Sequence, residues 1–138
     1  MNSEMKYTFT AQGHPNILAT HSTTLEITKD SELTKKGDCI IAVGADFSLL
    51  RIKELIGSCQ NRDKIALIIE AAGMKEKIAA VVNKEFSSDK EIVLRKGGFV
   101  SERTLGTNAD KAAAGLGREL VEKLKSHGCA VSVTIETL

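Results

Sequence analysis

The chain has 138 residues, 42% of them apolar and 27% charged, with a formal net charge of +1. That length predicts a single domain over residues 1–138 with a core of its own, and the near-neutral charge gives no electrostatic case for a nucleic-acid or membrane surface. Three widely spaced cysteines (Cys39, Cys59 and Cys129) make neither a disulfide framework nor a zinc motif and fit reduced thiols in a cytoplasmic protein, while the absence of Trp and 4% aromatic content predict an aliphatic core.

Residues 1–6 are polar and carry no signal-peptide pattern, and no stretch approaches the roughly 20 apolar residues of a membrane helix. Tyr7, Phe9 and Ala11 alternate with Thr8 and Thr10, which predicts a strand over 7–11. Gly13, Pro15 and Asn16 predict a turn. A strand over 17–21 follows, then extended chain through 22–28, where Leu25 and Ile27 alternate with Thr24, Glu26 and Thr28. A charged connection at 29–37, anchored by Leu33, leads to an apolar run at 39–43, the pattern of a strand buried on both faces. Asp46 or Ser48 can cap a helix in which Leu49, Ile52, Leu55 and Ile56 share a face and which Gly57 ends. After a polar loop at 58–63, strands are predicted over 65–71 and 77–83, joined around Gly73; the second run also fits a helix. A strand over 91–94 breaks at Lys96-Gly97-Gly98 and resumes at Phe99-Val100.

The strongest pattern is a helix over 109–126. Ala109, Ala112, Ala113, Leu116, Leu120, Val121 and Leu124 form one apolar stripe. Thr107 with Asp110 resembles a capping box, or Asn108 caps instead, and Gly128 is the stop. Gly115 and Gly117 each cost a helix about 0.5–1 kcal/mol, for which close packing on a sheet would account. A strand over 130–137 closes the chain. An extended run, a glycine turn and a run with Ile-x-Ala recur around Gly13 and Gly73, a weak echo of a duplicated half.

Two groups of residues carry candidate chemistry. His14, His21, Asp38 and Cys39 are metal-ligand and acid–base types. The plain alternative is a turn histidine and a core thiol. Of the functional readings, acid–base or ligand-binding work by His14, His21 and Asp38 is preferred to a metal site. The second group combines Arg95, Lys96, Arg103, Thr104 and Lys111 with Gly97, Gly98 and the start of the long helix near Asn108. Basic side chains, flexible backbone and a helix N-terminus together suit an anion. The alternative is that Arg95 and Arg103 pair with Glu91 and Glu102 while Asp110 satisfies the helix end. No P-loop, dinucleotide fingerprint or nucleophile elbow occurs, and no motif indicates a cofactor.

Gly13-His14-Pro15-Asn16-Ile17, Ala19 through Thr24, Glu26-Ile27-Thr28, Leu33-Thr34 and Gly37 through Ile41 resemble the first half of an uncharacterised archaeal family, domain-of-unknown-function family 371. Arg95-Lys96, Phe99, Arg103-Thr104-Leu105 and Ala109 through Ala113 resemble its second half. The resemblance spans nearly the whole chain and implies an archaeal, cytoplasmic protein, but no assigned activity. In the family pattern a serine follows the Arg-Lys pair; Gly97 stands there in this chain, which removes a hydroxyl from the anion group.

Together the elements predict an α+β fold: a mostly antiparallel curved or barrel-like sheet of about seven to nine strands, packed against one long C-terminal helix. Exposed strand edges make a homodimer expected. The preferred function is binding of a small phosphate- or carboxylate-bearing ligand, with or without catalysis. The alternative is an RNA- or protein-binding module using a basic face of Arg95, Lys96, Arg103, Lys111 and Arg118, disfavoured by neutral charge and scarce aromatics. If Arg103 grips the anion, removing it abolishes binding and spares the fold; loss of fold would mark it as a structural partner.

Overall fold

Phe9 and Ala11 turn inward, and Thr8 and Thr10 outward, along β1 (Lys6–Gln12) in the computed structural model, which describes residues 5–60 and 63–138. The polar N-terminus and the loop predicted at 58–63 lie partly outside those residues. The same inward–outward logic gives β2 (Thr24–Thr28), β3 (Ile40–Ala42), β4 (Lys64–Ala71), β5 (Met74–Val82), β6 (Glu91–Arg95), β7 (Thr104–Thr107) and β8 (Ala130–Thr137). Among the described residues these eight strands form one sheet, ordered β1-β8-β4-β5-β7-β6-β2-β3. β2 pairs with β3, and β6 with β7, in parallel; the other neighbours are antiparallel. β4 and β5 are a hairpin whose two-residue turn, Ala72-Gly73, takes positive φ at both positions, the geometry that suits strand twist.

The predicted fold class needs correction. The sheet is mixed and is not closed into a barrel. Among the described residues, its two edges touch through a single bridge between Gln12 of β1 and Val43, just past β3, whose two hydrogen bonds span 2.7 and 2.8 Å. The long C-terminal helix does not exist. Residues 104–107 are strand β7, Asn108 takes positive φ, Ala113–Gly115 is one 3-10 turn, and α2 covers only Arg118–Leu124. Every residue of the predicted apolar stripe is nonetheless buried. Three backbone bonds that no helix could make hold the chain straight at its start: Asn108 N–H to Gly97 O, Ala109 N–H to Arg95 O and Asp110 N–H to Ala79 O, at 2.9–3.1 Å. Asp110 also accepts from the Ala79 N–H and caps nothing. The glycines at 115 and 117 mark where the helix pattern breaks, with Gly117 as the N-cap of α2.

The other helix, α1 (Leu49–Gly57), buries Ile52, Leu55 and Ile56 and is capped by Ser48, whose hydroxyl accepts from Arg51 N–H. Asp46 instead holds the edge of β1 through the amide and hydroxyl of Thr10. Residues 17–21 are not a strand: Ala19 has positive φ, and the amides of Thr20 and His21 both donate to Asp38 O. The echo around Gly13 and Gly73 therefore corresponds to a hairpin at Gly73 alone. Phe99 and Val100 do not resume β6; they sit exposed in the connection to β7. Leu33 is the buried anchor of the charged connection.

One consequence of topology shapes the site. Parallel neighbours must be joined by chain that travels back to the starting end. Residues 96–103 make that return between β6 and β7, and residues 29–39 make it between β2 and β3.

Candidate functional site

Leu25 and Ile27 of β2 face the core, so Thr24, Glu26 and Thr28 face the other way. In an open antiparallel pair that face would be wet. Here it pairs with Arg95, Val93 and Glu91 of β6, and Glu26 is buried, its side chain only 6% exposed. Its Oε1 accepts from Arg103 Nη1 at 3.4 Å and from the Cys39 thiol at 3.7 Å, and the same Nη1 reaches Glu91 Oε1 at 3.3 Å. Burial first, then the neighbouring Glu91 carboxylate, pushes the Glu26 carboxyl up to about 7, with Arg103 opposing. Burial and the adjacent Glu26 push the Cys39 thiol up to about 11, which leaves it protonated and a poor nucleophile.

Arg95 lies two residues along the same face, opposite Thr24. Its Nε donates to Thr104 Oγ1 at 3.1 Å, and its guanidinium lies 5.0 Å from the centroid of the Phe99 ring. Thr104 is itself fixed by the Ser101 amide at 3.1 Å. Among the described residues, Arg95 Nη1 and Nη2 have no hydrogen-bond partner. Thr23, Thr24, Arg95, Gly97 and Phe99 line a recess of about 240 Å³. A larger hollow of about 610 Å³ lies beside the same connection, but Glu85 and Glu102 line it and no basic side chain does.

The predicted site residues scatter more than the sequence grouping implies. His21 borders the recess: its Nδ1 accepts from the amides of Thr23 at 3.2 Å and Thr24 at 3.1 Å. Asp38 meets His21 only through its backbone carbonyl. The Nδ1 of His14 accepts from Asn16 N–H and its own amide donates to Leu124 O at the end of α2, so it shares no contact with the other two. Lys96 is exposed, and Lys111 is paired with Glu76 at 3.3 Å. The start of the long helix is absent as an anion site; the real N-cap amide, Gly117, already donates to Glu76 Oε2 at 2.6 Å. Arg103 takes the pairing alternative with Glu91, and it also pairs with Glu26, which the sequence marks only as one of the residues alternating with Leu25 and Ile27. Glu26 thus connects the two groups, touching Cys39 of the first and Arg103 of the second. Among the described residues, no three His, Cys, Asp or Glu side chains come together to hold a metal ion.

With its guanidinium between two carboxylates, Arg103 acts on stability. Replacing it with Met keeps the apolar stem and removes the charge. The expected loss is about 1–2 kcal/mol at pH 8, where Glu26 is ionised and left with Glu91, and less at pH 5, where Glu26 is neutral. Urea unfolding at the two pH values checks this; equal losses at both would separate Arg103 from the charge of Glu26.

None of the helices among the described residues is long and apolar enough to cross a membrane. Uncharacterized protein MJ0206 of the archaeon Methanocaldococcus jannaschii is 40% identical over 124 residues, which cover 88% of this chain and 92% of that protein. Its source agrees with the archaeal origin that the resemblance implies. The model of the family described as Domain of unknown function (DUF371) matches residues 9–138, a span that includes the recess and the Glu26 cluster, and the chain therefore belongs to the DUF371 family.

Proposed function

We propose that this protein binds a small phosphate- or carboxylate-bearing ligand at Arg95, in the recess that Thr23, Thr24, Gly97 and Phe99 complete. The observation that carries the reading is the state of Arg95. One edge of its guanidinium is held by Thr104 and one face by Phe99, so the group is preorganised, while both Nη groups are uncommitted. An arginine in that state can grip two oxygens of one anion. Gly97 keeps the approach clear, since a Cβ added there would meet nothing within 4 Å. Lys96, next in the chain, is exposed and does not line the recess. Of the three acid–base candidates only His21 borders the recess, so an enzymatic step would draw on His21 rather than on His14 or Asp38.

The RNA- or protein-binding reading has less support. Its basic face needs charges free to meet phosphates. Arg103 and Lys111 are paired with carboxylates, and Arg118 donates to the carbonyls of Leu18, Ala19, Ala113, Ala114 and Leu116.

Amide NMR titration with inorganic phosphate tests the proposal. Saturable shifts are expected at Thr24, Gly97 and Phe99, and Arg95→Ala is expected to weaken binding about tenfold or more with the melting temperature nearly unchanged. Shifts elsewhere, or an unchanged affinity in R95A, would defeat it. Affinity should fall gently with salt; a steep fall on RNA titration would favour the alternative.

A further inference from the structure

Building on the Arg95 reading, we infer that the ligand is nucleotide-like: an anionic group in the recess joined to a planar aromatic ring that stacks on Phe99. The chain has five aromatic residues, and four are committed to the fold. Phe9, Phe47 and Phe86 are buried, and Tyr7 packs against the core while its hydroxyl accepts from Ser48 N–H. Phe99 is 67% exposed. At that exposure burial contributes little of the ring's possible stabilisation to the fold. The ring also stands over Arg95, whose Nη groups alone in the recess are cationic and uncommitted.

The surroundings suit a stacked ring. The Arg95 guanidinium covers one face of Phe99, and so large an exposure leaves the other open. A cation beneath a ring and a flat group above it is an arrangement used for bases. Gly97 and Gly98 precede Phe99, and a Cβ at either would meet nothing within 4 Å, so no side chain crowds the approach. Arg95 and Phe99 both line the recess of about 240 Å³, so a ligand gripped at Arg95 lies beside the ring. Sugar or alkyl phosphates use only half of this surface, whereas a nucleoside monophosphate uses both.

Three probes separate the halves: inorganic phosphate, ribose 5-phosphate and AMP, titrated by NMR or calorimetry against wild type, F99A and R95A. AMP is expected to bind wild type about tenfold or more tighter than ribose 5-phosphate, the gain typical of one stacked base. F99A should lose that gain, binding AMP and ribose 5-phosphate with equal affinity, and R95A should weaken all three. Equal affinity of wild type for AMP and ribose 5-phosphate, or a gain that survives in F99A, would overturn the aromatic half and leave the anion site standing. Failure of wild type to bind inorganic phosphate would instead defeat the anion reading itself. Phe99 is exposed, so F99A should fold; an unchanged amide spectrum outside residues 95–104 checks that.

Discussion

Replacing Gly13 with alanine is expected to destabilise the protein by about 3 kcal/mol or more, the steepest effect of any single methyl group at this junction. The cause is steric. Gly13 leaves β1 directly under the end of α2, and a Cβ added there would press into the Leu124 carbonyl oxygen and lie 2.8 Å from that of Ser126. Both are backbone atoms with no rotamer to escape into. The chain cannot simply back away either. The Gly13 amide donates to Cys129 O and the His14 amide to Leu124 O, each at 2.9 Å, and the second satisfies a helix-end carbonyl that would otherwise be orphaned. Overpacking of this kind costs roughly 1–3 kcal/mol, and each hydrogen bond lost adds about 1. Thermal unfolding should show a fall in Tm of roughly 10–15 °C. Gly57→Ala is the control: no atom lies within 4 Å of its added Cβ at the end of α1, so its effect should be small. A loss below about 1 kcal/mol for G13A would mean that the α2–β1 junction yields freely.

The second large effect is a pH dependence. Glu26 is raised from its ordinary value of 4.5 to about 7 by burial and by Glu91. Between those values the folded protein holds a proton that the unfolded chain has released, so stability falls as pH rises from about 4.5 to 7 and then levels off. The full span corresponds to about 3 kcal/mol. Glu26→Gln mimics the neutral carboxyl and should remove this slope. Near pH 5 the variant should match wild type; at pH 8 it should be the more stable by about 2–3 kcal/mol. Denaturant unfolding from pH 4 to 8, with carbon NMR of the Glu26 carboxyl, measures both. A wild-type profile that is flat across this range, with E26Q weaker throughout, would show that Arg103 holds Glu26 charged and that the ion pair outweighs burial.

Much of the molecule was legible locally. The alternation of Phe9 and Ala11 with threonines marked β1, the helical spacing of Ile52, Leu55 and Ile56 behind Ser48 marked α1, and Val131, Val133 and Ile135 marked β8. In each, one neighbouring surface covers one face, and the periodicity records that directly. The same rule misled at the C-terminal half. The stripe from Ala109 to Leu124 is buried as its spacing says, but an extended segment, a 3-10 turn and a two-turn helix bury it just as well. Spacing reports which side chains are covered, and the choice among backbones fell to bonds from Asp110, Ala109 and Asn108 to residues far back in the chain.

The site divides the same way. Arg95, Lys96, Arg103 and the glycines between them were visible as a basic, flexible segment, and the family resemblance picked out Glu26 and Phe99 without assigning either a role. The sequence by itself thus determined the aliphatic core, the local elements with simple covers, the family and the residue types available for binding. Tertiary structure decided which charges remain free. Arg103 meets Glu26 across 77 positions and Lys111 meets Glu76 across 35, whereas Arg95 meets a neutral threonine and a phenylalanine ring. A charge is neutralised by whatever lies within a few ångströms of it, and that distance is a property of the folded path, absent from the order of residues along it.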